Sequence, residues 1–268
     1  MKSMKCLLAA AVVLLAAACG PKKADAPKVL VLYYSQTENT QIVAQTIATA
    51  LGADLEAILP VVPYDGSYQE TIARGMTERQ SGVLPEIHPL NANIADYDVI
   101  FLGYPIWFGT YAMPIATLVK QQSFAGKKVV PFCTFGSGGL NTSTEALKKA
   151  LPKAQIQTGY GVRTARVAAA PKEIDRFLKE NGYKKGTVKK LPPYSAQKPV
   201  TKEEKAIFDA ACSNYQFPLG TPSTVGKRTT PDGTDYKFTV KNGAESTIIY
   251  VTVGKEAGAK PEFTQVVR

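Results

Sequence analysis

Val29-Leu30-Val31-Leu32-Tyr33-Tyr34-Ser35-Gln36-Thr37-Glu38-Asn39-Thr40 runs into Ile42, Val43, Thr46 and Ile47 at helical spacing. The first part is an unbroken apolar run, the mark of a strand buried on both faces. The second is a cluster of hydroxyls and amides set where a helix begins. Strand, polar loop and helix in that order bring free backbone N–H groups, side-chain donors and the positive end of a helix dipole to one point. Such a point is a seat for a phosphate.

The same alternation continues outward. Leu55 to Leu59, Val99 to Leu102, Val129 to Phe132 and a weak run near Ile156 read as further strands. Thr40 to Leu51, Met113 to Gln121, Thr142 to Leu151 and Pro171 to Asn181 carry helical periodicity, and a short helix is expected near Tyr68 to Arg79. The pattern predicts a doubly wound, five-stranded parallel sheet with helices on both faces, because right-handed crossovers leave few other arrangements. Ligands of such sheets bind beyond the carboxyl ends of the strands. Three of these ends are unusual: the loop Ser35 to Thr40, then Gly103-Tyr104-Pro105-Ile106-Trp107-Phe108-Gly109-Thr110, then Cys133-Thr134-Phe135-Gly136-Ser137-Gly138-Gly139. Together they offer a phosphate seat, an aromatic plate and a glycine-rich collar.

The start of the chain belongs to no core. Lys2 and Lys5 precede an apolar run from Leu7 to Ala18, short for a membrane span and suited to a secretory signal. Ala16-Ala17-Ala18-Cys19 resembles the bacterial lipoprotein signal, in which the cysteine is acylated and becomes the first mature residue. Residues 1–18 are therefore expected to be removed, Cys19 to carry lipid into a membrane, and 19–27 to act as a tether. Loss of Lys2 and Lys5 lowers the formal net charge of +10 by two and leaves the mature chain basic. No basic stripe with interleaved aromatics points to nucleic acid.

After Gly182 the composition shifts. Residues 184–200, rich in Lys and Pro, read as a linker, with Lys184, Lys185, Lys189 and Lys190 as a solvated face. Residues 201–268 read as a small α+β unit: one amphipathic helix from Lys202 to Ala211, then alternating runs at Tyr236 to Val240, Ile248 to Val253 and Phe263 to Val267. Asp232-Gly233 and Asn242-Gly243 tolerate the positive φ of tight hairpins, so an antiparallel meander is expected. A unit of this size makes a marginal core and should pack on residues 28–183.

Several chemistries find no support. Cys6 goes with the signal, and Cys133 lies in an apolar run as a small core residue, leaving Cys212 without a marked disulfide partner. One histidine and no Cys-x-x-Cys give no protein-built metal site. Ser137 lacks the glycine two places earlier that a nucleophile elbow requires, and His88 precedes it in a loop context. No residue stands out as a catalytic acid, base or nucleophile.

The three loops, in this order, resemble the flavodoxin family over Lys28 to Tyr183, in its short-chain form; with signal and tail, the layout is similar to exported bacterial flavodoxin-like lipoproteins. The first loop is similar to the family's phosphate pattern Ser/Thr-x-Thr-Gly-x-Thr. The resemblance implies FMN as cofactor, with Ser35, Gln36, Thr37, Glu38, Asn39 and Thr40 around its phosphate. It places Pro105, Ile106, Trp107, Phe108 and Gly109 beside the ring, Trp107 on the inner face, and Thr134, Phe135, Gly136, Ser137 and Gly138 at the pyrimidine edge. Glu38 stands where the family has glycine. Gly138, Gly139 and Leu140 stand where it often has a ring over the outer face, which leaves Tyr104, Phe108 or Tyr111 to fill that gap. Flavodoxins are commonly acidic and this chain is basic, so its partners differ from those of a cytoplasmic carrier. The implied function is an FMN-binding oxidoreductase, with a quinone or similar acceptor, or an electron-transfer protein with a redox partner, held at the bacterial envelope. The alternative is a non-redox envelope binding protein on the same scaffold that no longer binds flavin.

Overall fold

The computed structural model describes residues 26–242 and 245–267. The expected signal segment, Cys6, Cys19 and Gly243 lie outside the described residues.

Strand β1 (Val29–Tyr33), helix α1 (Asn39–Leu51) and strand β2 (Asp54–Ala57) open the fold. Helix α2 (Tyr68–Ser81) follows, started by a capping box in which Ser67 and Glu70 satisfy each other's backbone N–H groups. Then come β3 (Val99–Trp107), the short β4 (Thr110–Tyr111), α3 (Met113–Gln121), β5 (Lys128–Phe135), α4 (Leu140–Ala150), β6 (Gln155–Ile156), β7 (Tyr160–Arg163) and α5 (Ala170–Glu180).

The parallel strands lie in the order β2-β1-β3-β5, and β6 and β7 successively fill the fifth position beside β5. This is the strand order of flavodoxin itself, with its crevice where the winding reverses between β1 and β3. Register places Tyr33 opposite Gly103 and Pro105 opposite Thr134, so the three loops leave the sheet side by side. Alternate residues feed two cores. Leu30, Leu32, Leu102 and Tyr104 pack with Ile115, Leu118 and Leu147 on one face; Val31, Phe101, Val130 and Phe132 pack with Val43, Ile47, Ile174 and Leu178 on the other.

Some boundaries differ from the sequence reading. The strand expected at Leu55 to Leu59 ends at Ala57. β3 runs past Gly103 and Pro105, both strand breakers in isolation, because pairing with β5 carries the backbone on; Gly103 is required there, since a Cβ would stand 2.0 Å from the Phe132 ring. The weak strand near Ile156 is two residues long, and Tyr160–Arg163, absent from the expectation, supplies most of the fifth position.

The remaining chain forms β8 (Lys198–Pro199), α6 (Lys202–Cys212), β9 (Pro222–Thr230), β10 (Gly233–Asn242), β11 (Glu245–Gly254) and β12 (Glu262–Val267). Strands β8 to β12 make an antiparallel meander, with Phe208 of α6 packed on Phe238, Val240, Ile249 and Val251. Thr230 pairs with Gly233, so the first tight turn falls on Pro231 and Asp232, one residue before the expected Asp232-Gly233, and Asn242 pairs with Glu245. The stretch read as a linker is engaged at its end: Ser195 donates its N–H to Lys227, and Lys198 and Pro199 pair with β9.

Candidate functional site

Beyond β1 the chain turns sharply into α1. Glu38, the residue before the helix, has φ 60° and ψ −19°, a left-handed conformation, and its exposed side chain caps nothing. In the first turn of α1 the Asn39 N–H donates to the Thr37 carbonyl at 2.7 Å and the Ile42 N–H to the Glu38 carbonyl at 2.9 Å, while the Thr40 N–H finds no partner among the described residues. Ser35 Oγ accepts from the Gln41 N–H at 3.2 Å, and the Asn39 amide folds back on the Thr37 hydroxyl at 2.9 Å. Gln36 is spent on structure, its amide bridging the Tyr34 hydroxyl and the Tyr64 carbonyl. Thr40 is buried, and its hydroxyl lies 2.8 Å from that of Thr134, which ties the first loop to the third.

The second loop is a tight hairpin. Trp107 pairs with Thr110, leaving Phe108 (φ 50°) and Gly109 (φ 78°) as turn residues, both in the positive-φ region that a type I′ turn demands. A phenylalanine tolerates that region poorly. Arg79 steadies the turn by donating to the Phe108 carbonyl at 2.8 Å. Trp107 packs edge-on against Tyr34 and Tyr64, with centroids 5.8 and 5.1 Å away. Tyr64 is fixed in turn by its hydroxyl bond to Glu78 at 2.5 Å and by the Arg74 guanidinium 3.7 Å above its ring. The Thr110 hydroxyl is buried and finds no partner among the described residues.

At the third loop, backbone groups meet the C-terminal unit. Arg163 Nε donates to the Gly136 carbonyl at 2.7 Å, and the Val266 N–H donates to the Ser137 carbonyl at 2.8 Å. Arg166 reaches Glu173 at 2.8 Å and Glu262 of β12 at 3.0 Å, and Arg176 pairs with Asp232 at 2.8 Å.

Between these parts lies an open cleft of about 820 Å³. Of the sequence-predicted residues, Ile106, Phe108, Gly109, Phe135, Gly136, Ser137 and Gly138 line it. Pro105, Trp107 and Thr134 do not, and the first loop lies beside the lining, joined to it through Thr40 and Thr134. Tyr68, Arg163, Tyr215, Phe217 and Gln265 also line the cleft. Sequence reasoning missed them: Tyr68 and Arg163 sit at element ends without a motif, and the others come from a unit whose docking no local pattern announces.

The site offers hydrogen-bond donors, backbone dipoles and rings rather than acid–base groups. Burial pushes the phenols of Tyr34, Tyr64 and Tyr104 up, so they stay protonated at physiological pH. Burial likewise pushes the Cys133 thiol up. Among the described residues no cluster of His, Cys, Asp or Glu is arranged to hold a metal ion, and His88 is an exposed loop residue.

A family profile for flavodoxin matches residues 28–175. Among solved structures, a candidate flavoprotein from Bacteroides uniformis shares 27% identity, with a TM-score of 0.50, over 56% of this chain and 98% of its own. One from Bacteroides eggerthii shares 32% identity, with a TM-score of 0.48, over 56% and 99%. A flavoprotein of Lactobacillus acidophilus, solved in complex with FMN, shares 25% identity, with a TM-score of 0.47, over 54% and 98%. The profile ends inside α5, so α6 and the antiparallel sheet lie beyond the matched region. A profile match over more than half of the chain, on a sheet of this strand order, identifies the chain as a member of the flavodoxin family.

Proposed function

We propose that this protein binds FMN in the cleft and serves as a redox protein of the bacterial envelope, tethered by lipid on Cys19. The observation that carries the FMN reading is the convergence of the three loops: they leave neighbouring strands side by side, with Tyr33 opposite Gly103 and Pro105 opposite Thr134, and the Thr40 and Thr134 hydroxyls tie the first to the third at 2.8 Å. At Gly109 and Gly136, which line the cleft, a Cβ would meet nothing within 4 Å, so the backbone there is open to a ligand.

In this reading the side chains of Ser35, Thr37 and Asn39 and the N–H of Thr40 at the start of α1 hold the phosphate dianion, which oriented dipoles can do without a lysine. Phe108 forms one wall of the ring site, and backbone groups at Gly109 and Gly136 set the electrostatics of its edge. Trp107 acts from behind, bracing the second loop through Tyr34 and Tyr64. Bound FMN would supply reversible one- and two-electron reduction; the protein positions it and donates no acid or base.

An absorbance spectrum of the signal-free protein, taken before and during titration with FMN, tests the assignment. Flavin bands that disappear when Thr37 and Trp107 are replaced support it. A colourless protein that ignores FMN overturns it and favours a binding protein without redox chemistry. Steady reduction of a quinone with a nicotinamide donor then marks an oxidoreductase, whereas reversible flavin reduction without turnover marks a carrier. The tether is tested separately: Cys19→Ser is expected to move the protein from the membrane fraction to the soluble fraction. No helix among the described residues is long and apolar enough to cross a membrane.

A further inference from the structure

The third loop carries no ring after Phe135: Ser137 is followed by Gly138, Gly139 and Leu140. The second loop compensates only in part. Tyr104 is fully buried with its hydroxyl 3.2 Å from that of Ser143, Tyr111 packs on Tyr104, and of the three rings only Phe108 lines the cleft.

Beside the bare loop stands the C-terminal unit. A Cβ on Gly138 would lie 2.2 Å from the Val266 carbonyl oxygen, so the missing side chain is what admits β12. From there a continuous series of contacts leads to two rings. Arg163 holds the Gly136 carbonyl at 2.7 Å and the Phe263 carbonyl at 3.0 Å, and its guanidinium lies 4.3 Å above the Phe263 ring. Phe263 packs on Tyr215 at 5.0 Å, and Tyr215 packs on Phe217 at 5.9 Å. Both Tyr215 and Phe217 line the cleft, and Phe217 is 61% exposed. A lone exposed phenylalanine needs no explanation. One braced by a second ring, at the mouth of a cleft whose own loop lacks an aromatic, presents a stacking surface.

We propose that the C-terminal unit is part of the cofactor site, with Tyr215 and Phe217 covering the face of the flavin ring that the third loop leaves open. Arg163 and β12 act as the latch that holds this cover against the loop. The proposal rests on the FMN reading above. It gives the tail a function: a planar heteroaromatic ring gains an offset-stacked partner and loses contact with water.

The test uses the whole mature chain with Phe217→Ala, and with Tyr215→Ala added. Two readouts are taken, the FMN dissociation constant and the quenching of bound-flavin fluorescence by iodide. Phe217→Ala should weaken binding several-fold and the double variant roughly tenfold or more, the scale of a lost stacking partner. Iodide quenching should rise in both, and Phe217→Trp should restore wild-type behaviour. Phe217 is largely exposed, so its replacement should leave the fold intact. If the wild type binds FMN and Phe217→Ala and the double variant match it in both readouts, the cover is refuted while the FMN reading stands. If the wild type binds no FMN, both fall.

Discussion

At φ 60° the Cβ of Glu38 crowds the neighbouring carbonyl, a clash that glycine escapes. The strain is about 1–2 kcal/mol, and glycine's extra unfolded-chain entropy offsets roughly 0.5–1 kcal/mol of the relief. Glu38→Gly should therefore raise stability by about 0.5 kcal/mol, read as a higher denaturant midpoint at unchanged slope. It also removes a carboxylate from the proposed phosphate seat, so FMN affinity should rise; unchanged affinity would sink the account of Glu38 as a conflict in that loop. The Thr40 and Thr134 hydroxyls make a second residue-scale case. Both residues are buried and their hydroxyls meet at 2.8 Å, so Thr40→Val strands its partner and should cost about 1–3 kcal/mol. Adding Thr134→Val should recover part of that loss. Strictly additive costs in this double-mutant cycle would show that the hydroxyls do not interact. Cys212 completes the set: burial pushes its thiol up to about 12. Because the thiolate is the reactive form, modification of the native chain by a disulfide reagent should be slow at pH 8 and speed up about tenfold per pH unit toward that value. Fast, pH-independent labelling would contradict it.

Among the elements, those defined by their own residues were the easiest to read. β1 and α3 run Val29–Tyr33 and Met113–Gln121, as their apolar runs require, and α2 was visible near Tyr68. What escaped was set by partners distant in sequence. β9 is polar along most of its length and is a strand because β10 and β8 flank it. β7 is four residues in register with Phe132 to Phe135. α4 starts at Leu140 rather than Thr142 because Gly139 adopts φ 125° at its cap, where a Cβ would press on Ile106 at 2.7 Å. The site divides in the same way. The loops at three strand ends were legible because strand ends in an open sheet have a fixed meaning. The turning of Trp107 toward Tyr34 and Tyr64, and the arrival of Tyr215 and Phe217, depend on docking between segments and left no local trace. The Trp107 hairpin offers a test at this scale. Phe108→Gly should stabilise the turn by relieving positive-φ strain, yet weaken FMN binding by removing a wall of the cleft. Tighter binding by this variant would mean that Phe108 obstructs the site.

For the whole molecule, the link between the two sheets is polar and narrow: the Val266 N–H on Ser137, Arg163 across Gly136 and Phe263, and the ion pairs of Arg166 and Arg176. The smaller unit has a marginal core of its own. In calorimetry residues 26–268 should melt in one transition, and Arg163→Ala with Arg166→Ala should split it, the antiparallel unit melting first. An unsplit transition would show that these contacts do not couple the units. The strand ends and flanks carry a further consequence. An open sheet offers unpaired N–H and C=O groups along its outer strands, and neighbouring chains can extend it into aggregates. Here each margin is blunted. β2 has only four residues, and its Glu56 carboxylate accepts the N–H groups of Asn91 and Ala92 from the segment that crosses beside it. The opposite margin is broken into β6 and β7, β8 is two residues long and ends in proline, and the N–H of Val266 in β12 is already taken by Ser137. For copies crowded together, as the proposed lipid tether would gather them, such margins would let neighbours touch without joining their sheets.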